Sequence, residues 1–484
     1  MKGVSYPLAL PRLQMFDAAQ CDQIHQAALE VLRRTGVRVH QDEALGLLKD
    51  AGAHASDDTL VRIPVALVEW ALRQAPSQIG LCARGSDRVV VPLAGRHVSF
   101  GSGSDCPNYL DPRTGEKRRF TTRDVVDCIR LVDALPQLGF VMSMGIPSDV
   151  ESEDQSGARR GNAYRRQFAL MLEHTAKPIV FVCNDREDCE AIAGMASAAA
   201  GGLDRLQLNP TLLLYSEPTT PLQHSRTATE KLLFMAEHRL PVVHSPAPMM
   251  GGTAPATLAG GLVLGTAEAL SSLVIHQLKR AGAPFVFGSG LHHIDMKTTI
   301  SVYGAPEFQL ARIAVAAMGQ HYGLPTWGYA GHSDSNVMDE QAAADAALSV
   351  MMALLTGANL VHDVGYLEAG LTTSPEMIVF TAEMIDIGRQ MMEGVRLDAE
   401  AMALEVIHRV GPGGDYLTDD HTLAHFRDFW QPALFDRQRA DRWAASGGKR
   451  LGDRLRDRTL ALLESHRPAP LPDAVRDEVR RILG

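Results

Sequence analysis

The sequence predicts a TIM (β/α)8 barrel, in which eight parallel strands alternate with eight helices. Eight short apolar runs, each followed by a stretch of helical character, recur between Phe100 and Tyr366. Strands that alternate with helices indicate parallel βαβ units, and eight such units can close into a barrel. Proline opens five of the runs, which fits the start of a strand because its missing N–H costs no ladder hydrogen bond there.

The eight predicted strands each end in a turn-prone or polar segment. They are His97–Gly101, Gly139–Gly145, Pro178–Cys183, Pro210–Tyr215, Pro241–Ser245, Pro284–Gly288, Pro325–Tyr329 and Ala358–His362. Among the helices between them, Pro306–His321 begins with proline and is followed by Gly323, as helix ends favour. Gln341–Leu355 is mostly Ala, Leu, Met and Val, which predicts close packing against the barrel or against another subunit.

Three regions are predicted around this pattern. Residues 1–95 carry helical patterns and short β-like pieces, and are expected to form a small N-terminal α/β cap. Residues 96–375 form the barrel. Residues 376–484 form a C-terminal helical extension, in which mixed charges predict solvated helices over Asp436–Ala445, Leu451–Leu463 and Asp473–Leu483.

Composition is that of a soluble enzyme. The 484 residues are 45% hydrophobic and 21% charged, and the net charge of −10 argues against a broad nucleic-acid surface. Six cysteines without a C-x-x-C pair indicate reduced thiols in a reducing compartment. No secretion signal and no uninterrupted apolar stretch of about twenty residues is evident. We therefore expect a cytoplasmic protein without a membrane segment.

The chemistry of such a barrel is expected just past the C-terminal ends of its strands. The segments after the seventh and eighth strands, Tyr329–Asn336 and His362–Glu368, are the richest in polar side chains. Gly288-Ser-Gly290 could hold a phosphate, but the lysine of a P-loop is missing. No G-x-S-x-G nucleophile motif occurs.

A metal site is an alternative interpretation of the histidines near the strand ends. Catalytic zinc needs about three converging His, Cys or carboxylate ligands, and neither H-x-H nor H-E-x-x-H occurs in the sequence. The candidate ligands would be His244, His292, His293, His332 and His362.

Aromatic residues also gather at or beside the strand ends, although the chain is only 6% aromatic. Ring faces attract a quaternary ammonium group, which has no N–H to donate. The same rings could instead simply fill the barrel mouth. They are Tyr109, Tyr215, Trp327, Tyr329 and Tyr366.

Five motifs of the chain are distinctive as a set: Gly101–Asn108, Asp133–Pro136, Phe140–Gly145, Gly331–Ser335 and Thr356–Glu368. They resemble the trimethylamine:corrinoid methyltransferase family, and the similarity runs from about residue 15 to at least residue 430. The chain most resembles the branch without pyrrolysine that includes glycine betaine methyltransferase. Archetypal members carry pyrrolysine near the loop after the seventh strand, whereas His332–Asn336 consists of ordinary residues.

This resemblance implies a TIM barrel that transfers a methyl group from a quaternary amine, glycine betaine or a similar betaine, to cob(I)alamin on a separate corrinoid protein. A quaternary nitrogen already carries its charge, so no general acid is needed and positioning dominates. No catalytic residue and no metal ligand is assigned, and no tightly bound cofactor is expected. The predicted substrate-binding residues are Tyr109, Tyr215, Trp327 and Tyr329 as a cage, Glu217 as a negative charge, and His362 with His332 or Ser333 as carboxylate donors.

Two other functions remain open at the level of sequence. One is a metal-dependent hydrolase or lyase on the same barrel, and the other is a non-catalytic betaine-binding protein, because this fold hosts many activities. Expected partners are the corrinoid protein, the small amine and further copies of the chain in a homo-oligomer, without nucleic acid or membrane.

Overall fold

The computed structural model of the protein describes residues 8–150 and 160–483. Eight parallel strands follow one another around a barrel, as predicted. We number them β1 to β8: Ser99–Ser102, Leu138–Phe140, Ile179–Phe181, Leu212–Ser216, Val242–His244, Phe285–Val286, Trp327–Tyr329 and Leu360–Val364.

The barrel closes through two four-stranded runs. One has the order β2-β1-β8-β7 and the other β3-β4-β5-β6, and every pairing within them is parallel. Parallel bridges between Val141 and Ile179 and between Phe287 and Thr326 join the two runs. The eight C-terminal strand ends therefore lie at one end of the barrel, which we call the mouth.

A helix follows each strand and covers the outside of the barrel. Side-chain caps and left-handed residues define their limits; Asp185 and Asp339 cap two N-termini, and Gly201 and Gly357 end the same two helices. The helices are Thr122–Ala134, Arg160–His174, Arg186–Ala200, Arg226–Glu237, Leu258–Lys279, Pro306–His321, Glu340–Thr356 and Pro375–Met392, with a further short helix at Leu203–Leu208.

The helix after β8 belongs to this outer ring. Pro375–Met392 packs between Glu340–Thr356 and Thr122–Ala134, so the barrel's last helix lies in the part of the chain that the sequence assigned to the C-terminal extension. A Cβ on Gly388 would lie 2.2 Å from Cδ1 of Leu354. The small-residue helix Glu340–Thr356 therefore packs closely within its own chain.

The N-terminal cap packs on the side of the barrel, against Leu258–Lys279. This 22-residue helix has the length and the mean hydropathy, 1.7, of a membrane span, but 72% of that stretch is buried inside the protein, as in a core helix. The cap consists of helices Ala18–Glu30, Val31–Thr35 (a π-helix), Asp42–Asp50 and Val65–Gln74 and of strands Val37–Val39, His54–Ala55 and Leu60–Arg62, which Gln223–His224 joins.

A β-hairpin closes the end of the barrel opposite the mouth. Its strands Ile79–Cys82 and Val89–Leu93 pair antiparallel. Leu81, Val91 and Leu93 are fully buried in one cluster with the inward side chains of the barrel strands. All six cysteines are free and buried.

Loops at the mouth form two small sheets and a 3-10 helix. One sheet contains Asn108–Leu110, Lys117–Arg119, Tyr366–Leu367 and Thr372–Thr373, the other Met249–Met250, His292–Ile294 and Ser301–Val302, and the 3-10 helix is Glu368–Gly370.

The C-terminal region divides into two parts that differ in packing. Helices Leu451–Ser465 and Asp473–Leu483 pack on barrel helices and bury Leu455, Leu463 and Val479, so they are less solvated than their charges suggested. Residues 395–433, which we call the arm, contain no buried residue. Its short strand Val395–Arg396 pairs with Leu8–Ala9, and the remaining helices are Ala399–Met402, Leu404–Val410, Asp420–His425 and, after the arm, Ala440–Ala445.

Candidate functional site

Aromatic side chains from three barrel strands meet inside the mouth. Side chains alternate along a strand, so residues two apart share a face. Trp327 and Tyr329 on β7 therefore both point inward, as do Tyr215 near the end of β4 and His362 on β8. We call these four side chains the ring cluster.

The ring cluster is tightly packed. The ring centroid of His362 lies 4.4 Å from that of Trp327 and 4.4 Å from that of Tyr329. Tyr215 stacks on Trp327 with centroids 5.2 Å apart and ring planes 25° apart. Trp327 is only 1% exposed, whereas Tyr215 is partly buried. Trp327 is therefore a buried floor beneath the other rings, and we call the solvent-accessible space beside Tyr215 and Glu217 at the mouth the recess.

Glycines at the ends of neighbouring strands leave room for these rings. A Cβ on Gly288 would lie 2.8 Å from Cβ of Trp327, and a Cβ on Gly290 would lie 3.0 Å from the hydroxyl oxygen of Tyr329. The Gly-Ser-Gly segment after β6 is thus explained by close packing of the ring cluster, and no phosphate need be invoked.

Arg312, on the helix after β6, supports the ring cluster from behind. Its guanidinium carbon lies 4.5 Å from the ring centroids of both Phe308 and Tyr329. Nη1 donates to the carbonyl oxygen of Ser289 at 2.7 Å, and Nη2 donates to that of Leu291. Burial lowers the pKa of Arg312, but a guanidinium remains charged in proteins. A fixed cation therefore lies against one ring of the cluster.

Asp363 holds two histidines. Its Oδ1 lies 2.9 Å from Nδ1 of His362, and its Oδ2 lies 3.5 Å from Nδ1 of His332. Burial raises the pKa of Asp363, but the two histidines outweigh burial and lower it to about 2. None of the four ring nitrogens, nor Oδ2 of Asp363, has a well-aligned hydrogen-bond partner among the described residues. The carboxylate thus contacts both imidazoles by charge attraction, and no described protein group occupies their Nε2 atoms.

The backbone at Asp363 is unusual. Its φ is 81°, in the left-handed region that residues other than glycine rarely adopt. Such conformations persist only where the surrounding structure enforces them, and they gather at functional sites. In this chain the conformation places a carboxylate directly after the inward-facing His362.

Two further carboxyl groups lie at the recess. The hydroxyl of Tyr215 donates to Oε1 of Glu217, and Oγ of Ser104 donates to Oδ2 of Asp105 at 3.0 Å. Burial raises the pKa of both carboxyl groups, and the charge of Asp105 further raises the pKa of Glu217. Glu217 is nevertheless solvent-accessible although protein groups surround its carboxyl group, so we place it at the wall of the recess.

One buried lysine faces these carboxyl groups. Lys231, on the helix after β4, donates from Nζ to the carbonyl oxygen of Cys183 at 2.7 Å. Its charge lowers the pKa of Asp105 and of Glu217 without overcoming the effect of burial. The recess therefore contains more acidic than basic side chains.

Tyr303 adds a ring that the sequence did not reveal as part of the site. It stacks on Phe308 with centroids 4.7 Å apart, and its ring lies 5.5 Å from that of His332. Asp334 fixes its backbone, because Oδ1 accepts from the Tyr303 N–H at 2.8 Å. Tyr303 lies far beyond the end of β6 along the chain, so no strand-end rule could select it.

Two predicted residues do not face the recess. Tyr109 is fully buried in a separate sheet beyond β1, with the Arg118 guanidinium 4.7 Å from its ring centroid and Phe120 packed at 5.9 Å. It is therefore not part of the ring cluster. The hydroxyl of Ser333 donates to Oδ2 of Asp345 at 2.7 Å and accepts from the Ser335 N–H at 2.9 Å, so it fixes the loop after β7.

The five histidines considered as metal ligands do not converge. His244 alternates with the inward-facing Val243, so it points to the helix layer, where it stacks beside His224. His292 uses Nδ1 to contact the carbonyl oxygen of Gly290 at 2.8 Å. Across residues 8–150 and 160–483, no group of three or more His, Cys, Asp or Glu side chains is arranged to hold a metal ion.

Comparisons with known proteins agree with this architecture. The trimethylamine methyltransferase (MTTB) family model matches residues 5–483. The trimethylamine methyltransferase MttB of Desulfitobacterium hafniense is 33% identical over 461 residues, which cover 95% of this chain and 91% of the relative. A glycine betaine methyltransferase of the same species is 28% identical over 438 residues, covering 90% and 89% of the two chains.

A solved structure supports the fold independently. The monomethylamine methyltransferase MtmB of Methanosarcina barkeri superimposes with a TM-score of 0.56 at 12% identity, covering 94% of this chain and 88% of MtmB. The family model spans the barrel, the cap and the C-terminal region together. The resemblance inferred from the sequence is thus confirmed: the chain belongs to the trimethylamine methyltransferase family and is a methyltransferase.

Proposed function

We propose that this enzyme transfers a methyl group from a quaternary amine, glycine betaine or a similar betaine, to a corrinoid carried by a separate protein. The observation that carries the proposal is the recess itself, where the ring cluster lies beside Glu217 and Asp105. Aromatic faces and nearby carboxylates attract a permanent cation without needing a hydrogen bond from it. The name of one relative, the glycine betaine methyltransferase, supports the same substrate class, whereas trimethylamine, in the name of another, is a tertiary amine.

The chain's part in the reaction would be to bind and orient the substrate. A quaternary ammonium leaves as a neutral tertiary amine, so no side chain has to donate a proton to it. When bound, the corrinoid supplies a reduced cobalt nucleophile. The fixed rings and the rigid floor formed by Trp327 restrict the orientation of the methyl group, which is the contribution that an enzyme can make to a displacement of this kind.

The carboxylate of a betaine needs hydrogen-bond donors at the same site. His362 is our first candidate, because its ring belongs to the ring cluster while its Nε2 is buried and has no partner among the described residues. His332 is the second, since Asp363 orients both imidazoles. Ser333 is removed from this role because Asp345 already accepts from its hydroxyl.

The test is to mix the protein with reduced cobalamin and a panel of methylated amines. Loss of the cobalt(I) absorbance with one amine, together with its demethylated product, is the expected result. Calorimetry with glycine betaine on the wild type and on His362→Ala then tests the carboxylate donor, and we expect weaker binding by the variant. Tight binding without methyl transfer to cobalamin or to a corrinoid protein would identify a binding protein and contradict the proposal.

A further inference from the structure

The arm is folded but has no core of its own. Residues 395–433 form three short helices, and none of these residues is buried. Only Leu434, just after the arm, is buried between Gly388 and Leu455. Short helices are unstable in water unless an apolar face is covered. A segment with this structure therefore needs a surface on which to pack.

The exposed residues of the arm are unusually apolar. Ten of its large apolar side chains are between 42% and 83% exposed. Leu404 and Ile407 lie three residues apart on one helix face, and Leu423 and Phe426 do the same at the end of the next helix. Leu417 and Phe429 add to this surface in the connecting segments.

Few polar contacts tie the arm to the barrel in the described part of the chain. Ion pairs join residues within the arm; for example, Arg409 contacts Asp419 at 2.6 Å. It is anchored at its two ends. The first anchor is the pairing of Val395–Arg396 with Leu8–Ala9, and the second is Glu383, which accepts from the Ala433 and Leu434 N–H groups at 2.9 Å.

The size of the exposed apolar surface matches that of a stable interface. An aromatic side chain presents roughly 150–250 Å² and an aliphatic one roughly 60–120 Å², so the ten, seven of them aliphatic, present roughly 500–900 Å² at these exposures. Stable interfaces bury about 800 Å² per partner, and monomers rarely expose an apolar patch of more than a few hundred Å². Summed over the arm, the exposed apolar area therefore reaches the size that one partner buries in a stable interface.

The position of the arm favours one kind of partner. Pro375–Met392 runs from the mouth end of β8 to the opposite end of the barrel, and the arm starts just beyond it. A protein that binds at the mouth would not contact the start of the arm. Permanent, apolar interfaces are typical of copies of one chain.

The same chain also offers an apolar surface that a second copy could present in return. A groove of about 580 Å³ lies between the N-terminal helix and Leu258–Lys279, lined mainly by apolar residues such as Phe16, Ile24, Leu262 and Leu310. The arm and the groove are thus two apolar surfaces on one chain that two copies can bury against each other.

We propose that the arm is an intersubunit element, which packs its apolar face on a second copy of this chain. The inference does not depend on the substrate or on the corrinoid partner. In the assembled protein the exposed leucines and phenylalanines of residues 395–433 are covered, and the helices of the arm are stabilised by that contact.

The experiment measures the mass of the full-length protein by light scattering after size exclusion, at micromolar concentration. We expect the wild type to have at least twice the mass of one chain. The double variant Leu423→Asp/Phe429→Asp should have the mass of a single chain and an unchanged circular dichroism spectrum. The matched control is Leu208→Asp, which changes a leucine that is 80% exposed on another part of the surface, and it should keep the wild-type mass.

A monomeric wild type, or a double variant with the wild-type mass, would overturn the proposal. Hydrogen exchange of residues 395–433 in the wild type gives an answer that does not depend on how the variant folds. The protection of these amide hydrogens from exchange should rise with protein concentration, because more of the chains are then assembled. Protection that is independent of concentration and appears only when a corrinoid protein is added would assign the arm to that partner instead.

Discussion

The ring cluster and the arm both present aromatic and aliphatic side chains, but the two regions are held in place differently. Trp327 in the ring cluster is 1% exposed and contacts its own chain on all sides, whereas Phe429 in the arm is 71% exposed. The alternation of side chains along the strands directs the rings of the ring cluster into the interior of the barrel. The side chains of the arm have no interior of their own. The comparison shows that exposure of apolar residues in an ordered segment can indicate an interface as clearly as burial indicates a core.

The largest expected effect is the difference in unfolding free energy between an alanine variant in the ring cluster and one in the arm. Trp327→Ala removes the floor of the recess and leaves a cavity, which should cost about 3–5 kcal/mol of unfolding free energy. Phe429→Ala in the arm should cost less than about 0.5 kcal/mol per subunit in denaturant unfolding of the dissociated chain. Equal losses in the two variants would show that the arm has a core within its own chain.

Overpacking tests whether the ring cluster is as closely packed as its distances indicate. Gly288→Ala places a methyl group 2.8 Å from Cβ of Trp327, and should cost about 1–3 kcal/mol and reduce methyl transfer. The control is Gly46→Ala in a cap helix, where a Cβ meets no atom within 4 Å. Alanine is the better helix former, so that variant should be neutral or slightly stabilised in thermal unfolding.

Buried and exposed carboxylates provide a third comparison. The folded-state pKa of Asp363 is lowered to about 2 from an ordinary value of 3.8, so its stabilisation is fully present above about pH 4 and is lost as the pH falls towards 2. Asp363→Asn should therefore lose about 2 kcal/mol at pH 7 and show less acid dependence in that range. Asp419→Asn in the arm breaks a surface ion pair with the largely exposed Arg409 but keeps an oxygen that can accept from the His421 N–H, so it should cost less than about 1 kcal/mol.

The smallest expected effect concerns substrate binding. Glu217→Gln removes one negative charge from the recess and should raise KM for the quaternary amine about tenfold, or about 1.4 kcal/mol. Because burial raises the pKa of Glu217, the wild type should lose affinity as the pH falls through a range above the ordinary glutamate value. The loss of affinity at low pH should be smaller in Glu217→Gln than in the wild type. Glu405→Gln, in the arm, should leave KM and its pH dependence unchanged.

Much of the barrel could be predicted because its strands are buried on both faces. Each predicted strand overlaps an observed one. The reason is physical: a short apolar run between turns has few other ways to bury both faces. The sequence chose Tyr215, Trp327, Tyr329 and His362 because they lie at or beside strand ends, and in the structure their rings meet inside the mouth.

The remaining site residues depend on the path of loops and on local backbone geometry. Tyr109 lies seven residues past the end of β1, where the chain has already entered another sheet. Asp363 would point away from His362 by alternation, but its positive φ and the shift of register against β1 between Val361 and Val364 show that the strand is distorted there. Arg312 and Tyr303 reach the site from a helix and from a long connection, so their sequence positions carry no comparable signal.

The antiparallel hairpin beneath the barrel has a kinetic consequence. Because Leu81, Val91 and Leu93 fill the end opposite the mouth, the residues that the structure describes leave the recess open at the mouth. In the reaction proposed above, the amine and a bulkier methyl acceptor would both enter from this side, so we expect the amine to bind first and its demethylated product to leave after the acceptor. A site entered from one side thus favours ordered binding of the two substrates and ordered release of the two products. Product-inhibition patterns in steady-state kinetics would test this order.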